Sequence, residues 1–166
     1  MIEITESSSV ESVAELEYAF GPSPFGEVLT AVDDCGLCFA GFVTADRRSA
    51  LDDLHRRFPR AALKEVPSAF VDIFGEVEAV HIVGSEFRRK VWKTLLGVGR
   101  GCRISYSQLA DMAGMPRSVR AVASAVADNP LSIVVPCHRV VRSDGATGEY
   151  YWGAELKRRL LEAEKC

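Results

Sequence analysis

SYSQLADMAGMPRSVRAVASAVADN, residues 105–129, holds two short helical patterns joined by Ala113-Gly114-Met115-Pro116. Two helices meeting at a glycine-containing turn is the helix-turn-helix layout. In the second pattern Val119, Val122 and Val126 recur at i, i+3 and i+7 and are expected to face the core. The opposite face then carries Ala121, Ser124 and Ala125, with Arg117 and Arg120 at its N-terminal end. Small side chains with arginines at the mouth suit close approach to a nucleic-acid backbone or groove. A helix that reads bases would display longer polar side chains. Simple helix packing remains open, since alanine and serine also line tight protein contacts.

The segment that leads into these helices is basic. Residues 86–120 carry 8 basic and 2 acidic side chains, whereas residues 1–85 carry 6 and 15 and residues 121–166 are balanced, so the net −3 conceals a strong asymmetry. A basic block of this kind faces either a polyanion or solvent. Within it, Val91, Trp92, Leu95 and Leu96 mark one helical face from Glu86 onward.

Downstream lies SIVVPCHRVVRSDG, residues 132–145, where a β-branched run stops at Pro136 and presents Cys137, His138 and Arg139. Proline excludes the segment from a central strand ladder and favours a turn that exposes the thiol. Adjacent residues on an extended chain point apart, so Cys137 and His138 can cooperate only in a turn or through a water. A histidine raises the thiolate fraction of a cysteine, and a thiolate suits displacement at saturated carbon as well as acyl transfer. A buried inert cysteine is the competing reading.

The front half alternates as short strands over 15–21, 26–34 and 36–43, with turn signals at Gly21-Pro22 and at residues 33–36, which predicts a small antiparallel sheet. Helices are expected over 46–58 and 68–80, followed by an extended segment at 81–84 and a boundary near residue 80. With 166 residues, 48% of them hydrophobic, the chain can bury a core as one domain or two small ones. No basic start followed by an apolar run marks a signal peptide or membrane span, so a soluble cytoplasmic protein is expected. Five cysteines (35, 38, 102, 137 and 166) in no framework spacing suit a reducing compartment. Cys35-x-x-Cys38 is one pair in a hairpin and reads as packing, Cys102 and Cys166 have no partner by spacing, and His55 and His81 read as structural.

Taken together, FRRKVW, ISYSQLA, RAVASAVADNP, PCHRVVRSDG, GEY and LKRRLLEAE resemble, in order and spacing, the O6-alkylguanine-DNA alkyltransferases, over about residues 84–164. The front half resembles the more variable N-terminal domain of the family's bacterial adaptive-response members. The resemblance implies an α+β fold: a ribonuclease-H-like antiparallel sheet domain over 1–80, and a mostly helical domain over 81–166 with the helix-turn-helix. It implies direct-reversal DNA repair, in which the alkyl group of O6-alkylguanine in a flipped-out nucleotide passes irreversibly to Cys137.

By the same resemblance, His138 takes the thiol proton through a water and Glu164 orients His138. Tyr106 donates to the guanine ring near N3, and Asn129 braces the active-site turn. Arg120 enters the base stack, with Arg117, Ala121 and Ser124 on the DNA. Val140, Tyr150, Tyr151 and Trp92 line the pocket, the carbonyls of Cys137 and Val140 accepting from the guanine amine. Tyr151 and Trp152, where many members are small, narrow the pocket toward methyl. Zinc ligands of some members' N-terminal domain have no matching set, because Cys35, Cys38 and His81 do not fall at that spacing, so neither metal nor cofactor is expected. The partner is double-stranded DNA carrying O6-alkylguanine, with O4-alkylthymine as a second candidate lesion. No membrane partner is expected, and the protein is read as a nucleoid-associated monomer. Three rivals are a non-catalytic alkylated-DNA recognition protein, which would lack the acceptor cysteine, a Cys-His hydrolase and a helix-turn-helix regulator.

Overall fold

Alternating side chains form the predicted strands where β-branched and aromatic residues can share one buried face. The computed structural model describes residues 1–165, and Cys166 lies outside the described residues. The chain divides into two compact units. The first comprises residues 1–86 together with Pro130–Val134; the second comprises 87–129 and 135–166.

The first unit is built on a six-stranded sheet of β1 (Glu3–Ser7), β2 (Glu15–Gly21), β3 (Val28–Asp33), β4 (Gly36–Phe42), β5 (Ala62–Glu65) and β6 (Ala79–Val83), in the order β1-β6-β4-β3-β2-β5. Only β2–β3 and β3–β4 are antiparallel, while β1–β6, β4–β6 and β2–β5 are parallel. The sheet is therefore mixed, not antiparallel as expected. The reason is connectivity: α1 (Arg47–Arg57) is long enough to return the chain for parallel pairing, which a hairpin cannot do. Asp46 caps α1, accepting from the Ser49 N–H at 2.7 Å, and Leu54 is fully buried.

The helix expected over 68–80 does not form. Beyond a single 3-10 turn at Pro67–Ala69, the Val71 N–H is taken by the buried Thr30 hydroxyl at 3.1 Å. Asp72 accepts from the Phe74 N–H at 3.0 Å, an Asx turn that competes with helix. The aromatic rings go outward from this loop to the sheet: Phe70 lies over Gly21, where a Cβ would come within 2.4 Å of the ring, and Phe74 stacks on Phe25. The unit boundary falls after Glu86 and not near residue 80, because β6 is an interior strand of this sheet. Leu131 forms a parallel bridge with Ala40, which draws Pro130–Val134 into the same unit.

The second unit contains α2 (Glu86–Leu95, from Phe87 on), α3 (Tyr106–Met112), α4 (Val119–Ala127) and α5 (Ala154–Ala163). It also has a two-stranded parallel pair, β7 (Ile104–Ser105) with β8 (Val140–Val141). A reciprocal capping box starts α3: Ser105 Oγ accepts from the Gln108 N–H, and Gln108 Oε1 accepts from the Ser105 N–H. The same helix ends with Gly114 at φ +75°, the Met115 N–H bonding Ala110 O and the Gly114 N–H bonding Asp111 O. That C-terminal motif reverses the chain in a few residues and needs a left-handed position, which glycine supplies without strain. Among the described residues no helix is long and apolar enough to cross a membrane.

Candidate active site

Pro136 breaks the extended run, and Cys137–Arg139 form one 3-10 turn. The turn is pinned by the Cys137 N–H on Val135 O (2.8 Å) and the Arg139 N–H on Pro136 O (3.0 Å). From the end of α4, buried Asn129 donates through Nδ2 to Val135 O at 2.8 Å, bracing the strand that leads into the cysteine. Cys137 is only 6% exposed, yet it lines a cavity of about 700 Å³. Tyr106 of α3, Ala123 and Val126 of α4, and Tyr150 and Trp152 form other parts of its wall.

Burial pushes the Cys137 thiol up, while the Asn129 amide, the Tyr150 hydroxyl and the charge of Lys157 pull it down. The site thus keeps a protonated thiol at rest and holds around it the groups that stabilise a thiolate. Tyr150 Oη is itself buried, faces the Cys137 sulfur, and among the described residues has no other hydrogen-bond partner; burial with the adjacent sulfur holds its phenol strongly protonated. Burial, then the Cys137 and Glu149 charges, also raises Tyr106, so both phenols are donors at neutral pH.

His138 is 1% exposed, with Nε2 2.8 Å from Glu164 Oε1. Its Nδ1 is buried and, among the described residues, has no hydrogen-bond partner. Burial lowers the imidazole pKa against the opposing pull of Glu164, leaving a neutral base at pH 7. Glu164 ends α5 and also receives Arg139, whose Nη2 lies 2.8 Å from Oε1 and whose Nε lies 3.1 Å from Oε2. Burial alone would raise the Glu164 carboxyl; the hydrogen bonds from Arg139 and His138 outweigh it and bring the pKa down to about 2. Arg139 is anchored in turn by Nη1 donating to Val98 O at 2.7 Å.

Two residues expected in the pocket, Trp92 and Val140, do not line the cavity. Trp92 is a core residue, 3% exposed, whose indole N–H donates to Ala125 O at 2.8 Å, and it does not line the cavity. Ala125 is accordingly buried and does not share the exposed face of Ala121 and Ser124. Val140 is fully buried in β8, and its carbonyl accepts from Lys157 Nζ at 2.7 Å. Arg117, Arg120, Ala121 and Ser124 are exposed on α4 and its approach, while Tyr151, 49% exposed, lines the cavity and meets Trp152 edge-on.

Lys157 was not singled out from sequence. It is 1% exposed, and besides Val140 O it reaches Glu149 O at 3.3 Å, so one ammonium ties β8 to the Glu149 wall of the cavity. Burial brings its pKa down to about 8. Its signal lay in register: Lys157 shares a stripe with Leu160, Leu161 and Glu164, at i, i+3, i+4 and i+7. Lys157→Met keeps the bulk and removes the charge that favours the thiolate. Alkylation of Cys137 by iodoacetamide is expected to slow roughly 3- to 10-fold at neutral pH, with its pH midpoint moved upward; an unchanged pH–rate profile would refute this role.

Residues 86–166 match the family model of the 6-O-methylguanine DNA methyltransferase DNA-binding domain. The chain is 36% identical over 161 residues to the Escherichia coli bifunctional transcriptional activator/DNA repair enzyme Ada, covering 90% of this chain and 45% of that protein. It thus spans about half the length of the first curated relatives it matches. Against the methylated-DNA–protein-cysteine methyltransferase of Methanosarcina acetivorans, identity is 32% over 154 residues, 89% of this chain and 97% of the relative. In the crystal structure of Mycobacterium tuberculosis OGT in complex with DNA, the matching chain is 31% identical with a TM-score of 0.75, covering 90% of this chain and 92% of the other. With a nearly full-length relative above 30% identity and a solved structure of the same fold, the chain belongs to the methylated-DNA–protein-cysteine methyltransferase family.

Proposed function

We propose that this protein repairs DNA by moving the alkyl group of O6-alkylguanine to Cys137 in a single irreversible turnover. The observation that carries the reading is the buried Cys137 sulfur facing a cavity beside a neutral His138 that Glu164 and Arg139 hold in place. In this scheme the Cys137 proton passes through a bridging water to His138 Nδ1, the buried ring nitrogen that lacks a protein partner. The thiolate attacks the alkyl carbon and forms a carbon–sulfur bond as the carbon–oxygen bond to O6 breaks. Tyr106 donates its hydroxyl proton toward N3, so guanine leaves without net negative charge. A thioether is not reversed by thiol exchange, which makes the transfer stoichiometric. The Cys137 and Val140 carbonyls accept from the guanine amine, Val140 using the lone pair that Lys157 leaves free.

The lesion lies on a base edge inside a duplex, so the nucleotide must leave the stack, at a cost of a few kcal/mol. We assign α3, the Gly114 turn and α4 as a helix-turn-helix whose Ala121–Ser124 face meets the minor groove, with Arg117 on the backbone and Arg120 filling the vacated stack. The sheet of the first unit is read as ribonuclease-H-like by fold analogy alone. Tyr151 and Trp152 in the cavity wall favour methyl over larger groups, and O4-alkylthymine is the second lesion to test. The protein acts as a cytoplasmic monomer in this scheme. A non-catalytic recognition role is disfavoured because the sulfur is present and supported by donors.

Intact and peptide mass spectrometry after mixing with duplex DNA containing O6-methylguanine tests the proposal. One methyl per chain, mapped to Cys137 and saturating, is the expected result; DNA binding without an adduct would support recognition alone. Arg120→Ala is expected to slow repair of duplex roughly 10- to 100-fold while leaving transfer from the free base O6-benzylguanine nearly unchanged. Equal losses on both substrates would refute a role in extrusion.

A further inference from the structure

Among the described residues, the charged side chains in the wall of the Cys137 cavity are Arg142 and Glu149. Arg142 Nε stands 3.7 Å from Asp144 Oδ2, which leaves Glu149 as the charge to be accounted for. We propose that Glu149 is a specificity-determining residue that makes the cavity choose O6-alkylguanine over O4-alkylthymine, an inference that rests on the alkyl-transfer reading above.

With the alkyl carbon on the Cys137 sulfur, the two lesions superpose along one edge. In O6-alkylguanine the ring runs from the alkoxy carbon C6 through N1 to C2, which bears an amine. In O4-alkylthymine it runs from C4 through N3 to C2, which bears a carbonyl oxygen. The same point of the wall therefore meets a donor in one lesion and an acceptor in the other. Beyond C2, guanine offers N3 to the Tyr106 hydroxyl, whereas thymine has its glycosidic nitrogen there, which accepts nothing.

Three observations put Glu149 at that point. Lys157 Nζ donates to Val140 O at 2.7 Å and to Glu149 O at 3.3 Å, so Glu149 stands beside the carbonyl assigned to the guanine amine. Gly148, at φ +78°, leads into it, and a Cβ there would come within 3.8 Å of the same Nζ, so packing on Lys157 sets the path of the chain. Burial and then the Cys137 charge raise the Tyr106 phenol, and the Glu149 charge adds to them, which puts the carboxylate on the Tyr106 side of the cavity.

In the free protein Glu149 is exposed, and water screens its charge. A flipped base expels that water, and the carboxylate then meets the C2 substituent in a medium of lower dielectric. An ionised carboxylate only accepts hydrogen bonds. Beside an amine it adds attraction; beside a carbonyl oxygen it leaves two acceptors face to face. Polar groups left unpaired reject a substrate more strongly than a small change in size does. Tyr151 and Trp152 restrict the alkyl group, so for methyl on either base they do not make this choice.

The test compares single-turnover methyl transfer to the full chain from duplexes of one sequence carrying O6-methylguanine or O4-methylthymine. It is run on the native protein, Glu149→Gln and Glu149→Ala. The native protein is expected to react about 100-fold or more faster with the guanine lesion. Glutamine keeps the shape and adds an amide donor, so the guanine-to-thymine ratio should narrow about 10-fold or more, chiefly through a faster reaction on thymine. Alanine removes the repulsion without adding a donor and should narrow the ratio less. A faster reaction on one lesion cannot come from a damaged fold. Equal native rates on the two lesions, or a thymine rate that glutamine leaves unchanged, would overturn the role of Glu149. No transfer from O6-methylguanine to the native protein is a separate failure, which would remove the alkyltransferase reading and this inference with it.

Discussion

Cys137→Ser is expected to abolish alkyl transfer, reducing the rate by about 10⁴-fold or more, the scale on which removing a nucleophile acts. A serine hydroxyl fits the same volume, so the 3-10 turn and its Asn129 brace should persist. What disappears is ionisation. The donors around residue 137 stabilise a thiolate against burial, and their combined pull is far too small to ionise an alcohol. The check is mass spectrometry with O6-methylguanine duplex, beside a gel-shift assay for retained DNA binding. Methylation at a comparable rate in the serine variant would remove Cys137 from the mechanism altogether.

Glu164→Gln should cost the next largest factor, roughly 10²- to 10³-fold in transfer rate, within the range for loss of a positioned acid–base group. Glutamine can still accept from His138, but it supplies no charge to favour the imidazolium that forms when the thiol proton arrives. It also strands Arg139, whose guanidinium meets both carboxylate oxygens. The pH dependence carries a sign. Because the folded carboxyl is lowered to about 2 from the ordinary 4.5, its stabilisation is fully present above pH 4.5 and is lost as pH falls toward 2. Urea midpoints followed from pH 6 down to pH 2.5 should fall more steeply in the native protein than in Glu164→Gln. Parallel slopes would mean that the carboxylate is not held by these partners.

Much of this site was legible because its chemistry is nearly contiguous. Cys137, His138 and Asn129 lie within ten residues, and a proline breaking a β-branched run marks the turn. Glu164 was legible only through family resemblance, since nothing local ties it to His138. Lys157 and Arg139 were missed as partners for one reason: a charge that is internally satisfied looks, in sequence, like any solvated lysine or arginine. In the fold, hairpin strands 15–21, 28–33 and 36–42 carry turn signals and strong alternation. β1 and β5 carry neither; each lies at an edge of the sheet, pairs through one parallel neighbour and is largely exposed, so propensity had little to act on. The 68–80 segment misleads because its apolar residues have helical spacing, while Thr30 and Gly21, distant in sequence, take its backbone and its rings.

The return of Pro130–Val134 to the first unit bears on the order in which the chain can be made. Ala40 in β4 sends its N–H to Pro130 O at 2.8 Å and receives the Ser132 N–H on its carbonyl at 3.1 Å, and Ala40 is fully buried. A nascent chain that has emerged only as far as residue 86 holds all six strands yet leaves both Ala40 backbone groups unpaired, each at a cost of about 1–3 kcal/mol if kept from water. The N-terminal sheet therefore cannot reach its final stability on the ribosome until more than forty further residues have been added, among them most of the helices of the second unit. On this connectivity, completion of the first unit is expected to wait on that single late segment, in contrast to one finished domain followed by the next.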